Sequence, residues 1–304
     1  MGVSGQDGGY VAGRCLERGA RVIGVDRRVD PPDRFPDRYL HVRLDLSRQD
    51  GALADLLNDE KPDYVFHLAA AHGPDGAPLE DIWREAAAVN VGALQTCLDH
   101  GRRASDMRIL YASSVHIFGL RPAGILNEKT SKTPVNLYGI TKKQGCDLID
   151  YYRAYHGVQA SAAHLFNHES ERRPDGYFIP KLVNAVVAAV RGEKRQPLRT
   201  LNFFCDWGAA EEYADILADL IETAPGEDVI VATGRTWHAR DFTRAVFARF
   251  DLDSKDHIVE LEPAAHAESY AADTSKLQRL LGRTPKTNIV DLCTDMIRKK
   301  LQCD

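Results

Sequence analysis

Residues 1–13 read MGVSGQDGGYVAG and residues 20–26 read ARVIGVD. Glycines at Gly2, Gly5, Gly8 and Gly9 let a backbone turn tightly and come close to a ligand. From Gly9 to Gly19 the residues Val11, Ala12, Cys15 and Leu16 recur at helical spacing, and Gly19 is a stop signal. A helix N-terminus behind a glycine turn attracts a pyrophosphate, because its free N–H groups carry partial positive charge. ARVIGVD is a short apolar run closed by Asp26, as a buried parallel strand would be. Gly2, Gly5, Gln6, Asp7 and Gly8 are therefore the candidate dinucleotide cradle. A carboxylate at Asp26 accepts the two adenosine-ribose hydroxyls and repels a 2′-phosphate, which favours NAD. Arg27 and Arg28 can pair with such a phosphate and leave NADP open. Almost nothing precedes Gly2, although a central strand is expected there. Its neighbours would otherwise stay unpaired, so the native chain is expected to carry a strand ahead of Met1.

Outward from this loop the pattern alternates. YLHVRLDLS (39–47) reads as a strand reaching Asp45, and GALADLLNDEKP (51–62) as a helix closed by proline. DYVFHLAAA (63–71) is a strand running into small residues, residues 79–102 are a helix, and MRILYASS (107–114) is a strand. A long helix over 137–156 and the strand SAAHLFN (161–167) complete the series. Such alternation implies an α/β fold, a doubly wound parallel sheet. Asp45 and Leu46 are candidates for adenine contact, and Leu68, Ala69 and Ala70 for the cofactor's path. His72 reads as a loop histidine. Beyond residue 168 the order is looser, with helices at FIPKLVNAVVAAVRGE (178–193) and EEYADILADLIET (211–223) and a strand at VIVATG (229–234). The expected division is a dinucleotide-binding domain over 1–167 and a smaller, partly interwoven substrate-binding region over 168–304.

The net charge of −5 carries no basic footprint for nucleic acid. No apolar run reaches the roughly 20 residues of a membrane span, and no leader is evident, so a cytoplasmic protein is expected. The six cysteines form no C-x-x-C and read as free thiols; no metal site is expected.

Tyr138 and Lys142 stand four apart in LYGITKK, on one face of the 137–156 helix. An ammonium beside a phenol lowers the phenol's pKa and can hold a nicotinamide ribose. The tyrosine then removes a proton from a sugar hydroxyl as hydride leaves the same carbon. Ser114, at the end of YASSVHIFG (111–119), supplies a further hydrogen bond.

These residues carry a resemblance. GVSGQDGGYVA, LYGITKKQG, LFNHESERR, DWGAAEEYA, VIVATG and LGRTP are similar to segments of the extended short-chain dehydrogenase/reductases that act on nucleotide sugars, and most of all to the GDP-mannose 4,6-dehydratases. The resemblance implies a Rossmann domain with bound NAD or NADP, a small C-terminal substrate domain, a nucleoside-diphosphate sugar as substrate, and a homodimer built on the helices over 79–102 and 137–156. It also implies that Asn167 contacts the substrate's phosphates; Lys181, and Arg172, Arg173 or Arg199 in place of the arginine missing at Cys205, are further candidate phosphate contacts.

Two positions depart from the family. Where a dehydratase has an acid two residues after its catalytic hydroxyl, this chain has His116, a possible base; Val115 precedes it. Where an arginine usually grips the diphosphate, FFCDWG has Cys205, and a thiol cannot replace a bidentate guanidinium. Trp207 reads as packing. The function expected is hydride transfer at sugar C4, as in an epimerase or 4-oxidoreductase. The alternatives are a 4,6-dehydratase using His116, or a cofactor-binding partner subunit impaired in catalysis.

Overall fold

The alternation of buried strands and amphipathic helices is realised in the computed structural model, which describes residues 1–28, 37–48, 51–72, 79–119, 123–262 and 268–302. In chain order come α1 (Gln6–Glu17), β1 (Val22–Asp26), β2 (Tyr39–Arg43), α2 (Ala52–Glu60), β3 (Tyr64–His67), α3 (Trp83–Ala87), α4 (Ala93–Gly101) and β4 (Arg108–Ser114). There follow β5 (Gly124–Leu126), α5 (Leu137–His156), β6 (Gln159–Leu165), β7 (Asn167–Glu169), α6 (Phe178–Val190), β8 (Gln196–Leu198), β9 (Phe204–Ala209) and α7 (Ala210–Thr223). The chain closes with β10 (Val229–Val231), β11 (Thr236–His238), α8 (Ala239–Ala248), α9 (Ser254–His257), β12 (Ile258–Glu260), β13 (Tyr270–Ala272), α10 (Ser275–Leu281) and α11 (Ile289–Gln302).

Four parallel strands stand in the order β10-β6-β4-β3, and β1 and β2 form a separate parallel pair. Alternation along β4 shows the double winding, since successive side chains leave opposite faces of a strand. Leu110 and Ala112 join a core with Val11 of α1 and Tyr213 and Leu217 of α7. Ile109 and Tyr111 join another with Leu94 and Leu98 of α4 and Ile149 of α5. A third core gathers α6, α8 and α11 around Trp207 and Phe242.

The chain's first residues link the two parallel groups. The Met1 amino group donates to Phe66 O at 2.7 Å, Leu68 N donates to Met1 O at 3.2 Å, and Gly2 N donates to Val25 O at 2.8 Å. Residues 1–3 thus occupy the central position between β1 and β3 at the carboxyl edge of the sheet, where a longer strand was expected.

Three boundaries differ from the sequence reading. α1 begins at Gln6, with Gly8 and Gly9 inside it, because its first turn packs directly on Gly2. β2 ends at Arg43, and Asp45 lies in the turn beyond, where its carboxylate accepts from Ser47 N and Oγ. The helix over 79–102 is interrupted by a π-helical turn at Ala88–Gly92, a feature frequent at functional sites. Cys15, Cys97, Cys146, Cys205 and Cys293 are free thiols, and Cys303 lies outside the described residues. Among the described residues no helix is long and apolar enough to cross a membrane.

Candidate active site

Two glycines determine the shape of the loop at the head of α1. Gly2 has φ +82°, and a Cβ there would lie 2.6 Å from Ala69 N; a Cβ on Gly8 would lie 2.0 Å from Gly2 O. No side chain fits either place, so the loop, the first turn of α1 and the Leu68–Ala70 segment form one tight backbone cradle. That geometry fits a dinucleotide's pyrophosphate, as the glycine spacing implied.

The cradle is tied to β7. Asp7 Oδ1 lies 2.9 Å from His168 Nε2, Gln6 Nε2 donates to His168 O at 3.1 Å, and Ser170 Oγ donates to Gln6 Oε1 at 2.9 Å. His168 Nδ1 faces Phe166 O at 2.7 Å. Both ring nitrogens face acceptors, which suits an imidazolium, and the Asp7 carboxylate raises the histidine's pKa against the opposing effect of burial.

At the ribose end, both Asp26 oxygens are engaged by backbone N–H groups, from Ser4 and Arg28, each at 3.1 Å. Beside it lies a hollow of about 520 Å³ lined by Arg27, Arg43, Leu44, Asp45 and Arg48. Arg27 also pairs with Glu85 at 3.0 Å. Leu46 is buried against Val25 and Ala93.

Ser114, Tyr138 and Lys142 converge from β4 and α5. Asn136 caps α5, its Oδ1 accepting from Gly139 N at 2.7 Å. Gly139 lets this first turn lie against the 115–118 turn, since a Cβ there would meet His116 O at 2.5 Å. Lys142 is fully buried; its Nζ donates to Ala112 O at 2.7 Å and stands 5.6 Å from the Tyr138 ring centroid. Burial brings the Lys142 pKa down to about 7 and raises that of Tyr138, although the hydrogen bond from Ser114 pulls the phenol the other way. The lowering of the phenol expected from Lys142 is not realised in the protein alone, where burial dominates at Tyr138 and favours the neutral form of the lysine.

His116 sits in a tight turn, its backbone N donating to Ser114 Oγ at 3.3 Å. Its ring lies edge-on to Tyr138 at 5.8 Å, and Asn136 Nδ2 donates to its Nδ1 at 3.5 Å. Burial lowers its pKa, so the imidazole is neutral near pH 7 and able to accept a proton. Phe118 packs on His164 instead.

The residues proposed for substrate contact are not gathered equally. Asn167 opens β7 beside the cradle. Arg172 stacks over Tyr10 at 4.3 Å, on the α1 side. Lys181 is exposed on α6. Arg199 follows β8, 82% exposed and paired with Glu262. Cys205 is buried, packed toward Tyr270 and the Asp206 carbonyl. Trp207 is core, stacked on Phe178 at 5.5 Å.

Asn90 escaped the sequence reading, and Arg173, one of the arginines expected to compensate for Cys205, takes a place beside Tyr177. Asn90, wholly buried and turned inward by the π turn, accepts from Ala71 N and donates to Ala71 O and Thr141 Oγ1, pinning the loop after β3 to α5. Arg173 lies 3.8 Å over the Tyr177 ring, and its charge reaches Tyr138, Asp7 and His168. These residues come from segments far apart in sequence and share no local spacing; only the π turn's position beside the site would have pointed to Asn90.

A glycine cradle at a parallel sheet's carboxyl edge, with Ser, Tyr and Lys converging beside it, defines the class: an extended short-chain dehydrogenase/reductase, here of the nucleotide-sugar epimerase/dehydratase kind. Solved structures share the fold. UDP-N-acetylglucosamine 4-epimerase from Methanobrevibacter ruminantium, in complex with UDP-N-acetylmuramic acid, superposes with a TM-score of 0.83 at 18% identity, covering 100% of this chain and 97% of that one. The dTDP-glucose 4,6-dehydratase of Bacillus anthracis, in complex with NAD, gives a TM-score of 0.82 at 15% identity, covering 98% and 94%. The chain belongs to the GDP-mannose 4,6-dehydratase family, whose sequence profile matches residues 1–296. It is 26% identical to the GDP-mannose 4,6 dehydratase of Drosophila melanogaster, over 99% of this chain and 85% of that protein, and 25% identical to the one of Yersinia enterocolitica, over 99% and 92%. It is accordingly an enzyme of NAD(P)-dependent nucleotide-sugar chemistry.

Proposed function

We propose that this chain removes a proton and a hydride from C4 of a nucleoside-diphosphate sugar, with Tyr138 as the base. The convergence of Ser114, Tyr138 and Lys142 beside the glycine cradle carries this reading. Gly2, Gly5 and Gly8, with the backbone of Leu68–Ala70, would hold the dinucleotide, and residues 1–167 form its domain. A nicotinamide bound there supplies the hydride acceptor. Ser114 orients the C4 hydroxyl by hydrogen bonding, and Tyr138 takes its proton. Lys142, at about pH 7 on the edge of protonation, gives the developing phenolate a nearby cation as the site loses water. Residues 168–304 contribute Asn167 and the neighbouring arginines toward the sugar nucleotide.

The 2′-position has two readings. Asp26 favours NAD, yet its oxygens are already engaged, and the hollow lined by Arg27, Arg43 and Arg48 suits the 2′-phosphate of NADP. The chemistry after C4 oxidation also has two. Return of hydride to the other face gives epimerisation; His116, edge-on to Tyr138 and neutral, favours 4,6-dehydration with itself as the base at C5. α5 carries the exposed Tyr151 and Tyr155 and, with α4, is the proposed homodimer face.

Mixing the enzyme with NAD or NADP and a panel of sugar nucleotides tests the core of this. Near-ultraviolet absorbance of reduced nicotinamide should rise with the parent and fall by about 100-fold or more in Tyr138→Phe. Equal rates in both would refute it.

A further inference from the structure

We propose that Tyr177 is a second proton donor of this site, resupplied by His72, and that the pair serves loss of water from the sugar after C4 is oxidised. The proposal rests on the C4 reading and extends it. Three rings from three segments meet around Tyr138. His116 comes from the turn after β4, His72 from the loop after β3, and Tyr177 from the residue that opens α6. His72 lies edge-on to Tyr138 at 6.1 Å and to Tyr177 at 5.9 Å, so its ring stands between the two phenols. The Tyr177 hydroxyl is 3.0 Å from His72 Nδ1. Tyr177 is close enough for its charge to be felt at Tyr138.

The surroundings of Tyr177 are those of an acid. The Arg173 guanidinium carbon lies 3.8 Å from its ring centroid, a positive charge close enough to stabilise the phenolate left when the proton departs. Arg173 is itself held beside the buried Glu169, its Nε 3.6 Å from Oε2. His72 is exposed, so it can exchange protons with water. A reaction confined to C4 needs one proton carrier, Tyr138. A base at His116 and a phenol–imidazole pair, both beside that phenol, match a reaction that moves protons at C5 and at the C6 oxygen as well.

The step balances without an external reagent. With a ketone at C4, His116 takes the C5 proton, and the released electron pair forms a C5–C6 double bond. The C6–O bond breaks with its pair on oxygen, which takes the Tyr177 proton and leaves as water. The Tyr177 phenolate then takes a proton from His72, which recovers one from solvent.

The test uses the whole chain with NADP or NAD and GDP-mannose as the probe, reading reduced nicotinamide by absorbance and product by mass. The parent should show the absorbance transient and a product lighter by one water. Tyr177→Phe should keep the transient within about threefold and form the lighter product about 100-fold more slowly. His72→Gln, which keeps a hydrogen-bonding group beside the phenol, should lower kcat for water loss with KM nearly unchanged. In the protein without substrate, the ring-nitrogen resonances of His72 should shift on Tyr177→Phe. An absorbance transient without water loss in the parent, water loss at parental rate in Tyr177→Phe, or an unmoved His72 resonance overturns the proposal and leaves C4 oxidation standing. No transient in the parent overturns both.

Discussion

Replacing Lys142 by methionine should make the protein more stable and nearly inactive. Lys142 is 1% exposed, and its pKa falls from an ordinary 10.5 to about 7 because burial penalises the ammonium. Below pH 7 the unfolded and folded chains both carry that proton, and the folded one bears the full penalty. From pH 7 to 10.5 the unfolded chain binds a proton that the folded chain does not, so stability rises with pH through that window. At ~1.4 kcal/mol per pH unit the span amounts to about 5 kcal/mol. Against it stand the hydrogen bond from Nζ to Ala112 O and the carbonyl that methionine would leave without its partner, together about 3 kcal/mol. The net gain at pH 6 is then about 2 kcal/mol, or a melting temperature higher by roughly 4 °C for a chain of this size. The advantage should shrink above pH 7 and reverse at about pH 8.4, leaving the variant about 1 kcal/mol less stable at pH 9. Melting curves of parent and variant at pH 6, 7.5 and 9, each without added cofactor, measure this, alongside the absorbance assay for turnover. A variant less stable at pH 6, by an amount that stays constant to pH 9, would refute the claim that this lysine is held against its own solvation.

Gly8→Ala places a methyl 2.0 Å from Gly2 O, so cofactor affinity should fall by more than about tenfold and stability by ~1–3 kcal/mol; calorimetric titration with NAD or NADP reads the first. Arg43→Ala combined with Arg48→Ala should weaken NADP far more than NAD; equal losses would remove the 2′-phosphate reading of the arginine-lined hollow. His168→Asn leaves Asp7 without its cation, and dinucleotide binding should weaken most at low ionic strength, where the bare carboxylate repels pyrophosphate hardest. His164 has its pKa lowered to about 4 by burial, so stability should fall as pH drops from 6.5 toward 4; His164→Phe should flatten that limb of a urea-denaturation series.

The central strands and the long helix were legible because burial on both faces leaves an unbroken apolar record. MRILYASS became β4, and residues 137–156 became α5 with its boundaries unchanged. Ser114, Tyr138 and Lys142 were legible for a related reason: helical periodicity brings Tyr138 and Lys142 together, and a strand end presents Ser114. What stayed hidden depends on three-dimensional closure. LRTLNFFCDWG (198–208) runs from the last residue of β8 into β9, strands that pair in different sheets, and no local signal chooses between partners. The inward turn of Asn90 requires one extra residue in a helical turn, which periodicity analysis averages away. The short pairing of Met1–Val3 with both β1 and β3 depends on three residues, fewer than any strand pattern can register. Tyr177 and His72 lie 105 residues apart and meet only because the tertiary fold brings the start of α6 to the loop after β3.

The hydrogen bonds that join Gln6 and Asp7 with His168 and Ser170 leave little play between the loop that would grip pyrophosphate and the strand that carries Asn167. Two ligands that lean on one stiff seam must sense each other. Whatever free energy a dinucleotide gains by tightening that seam is returned as affinity for the sugar nucleotide, and in equal measure the other way. Each ligand then tightens the other through mechanics in the ground state, with no moving lid required.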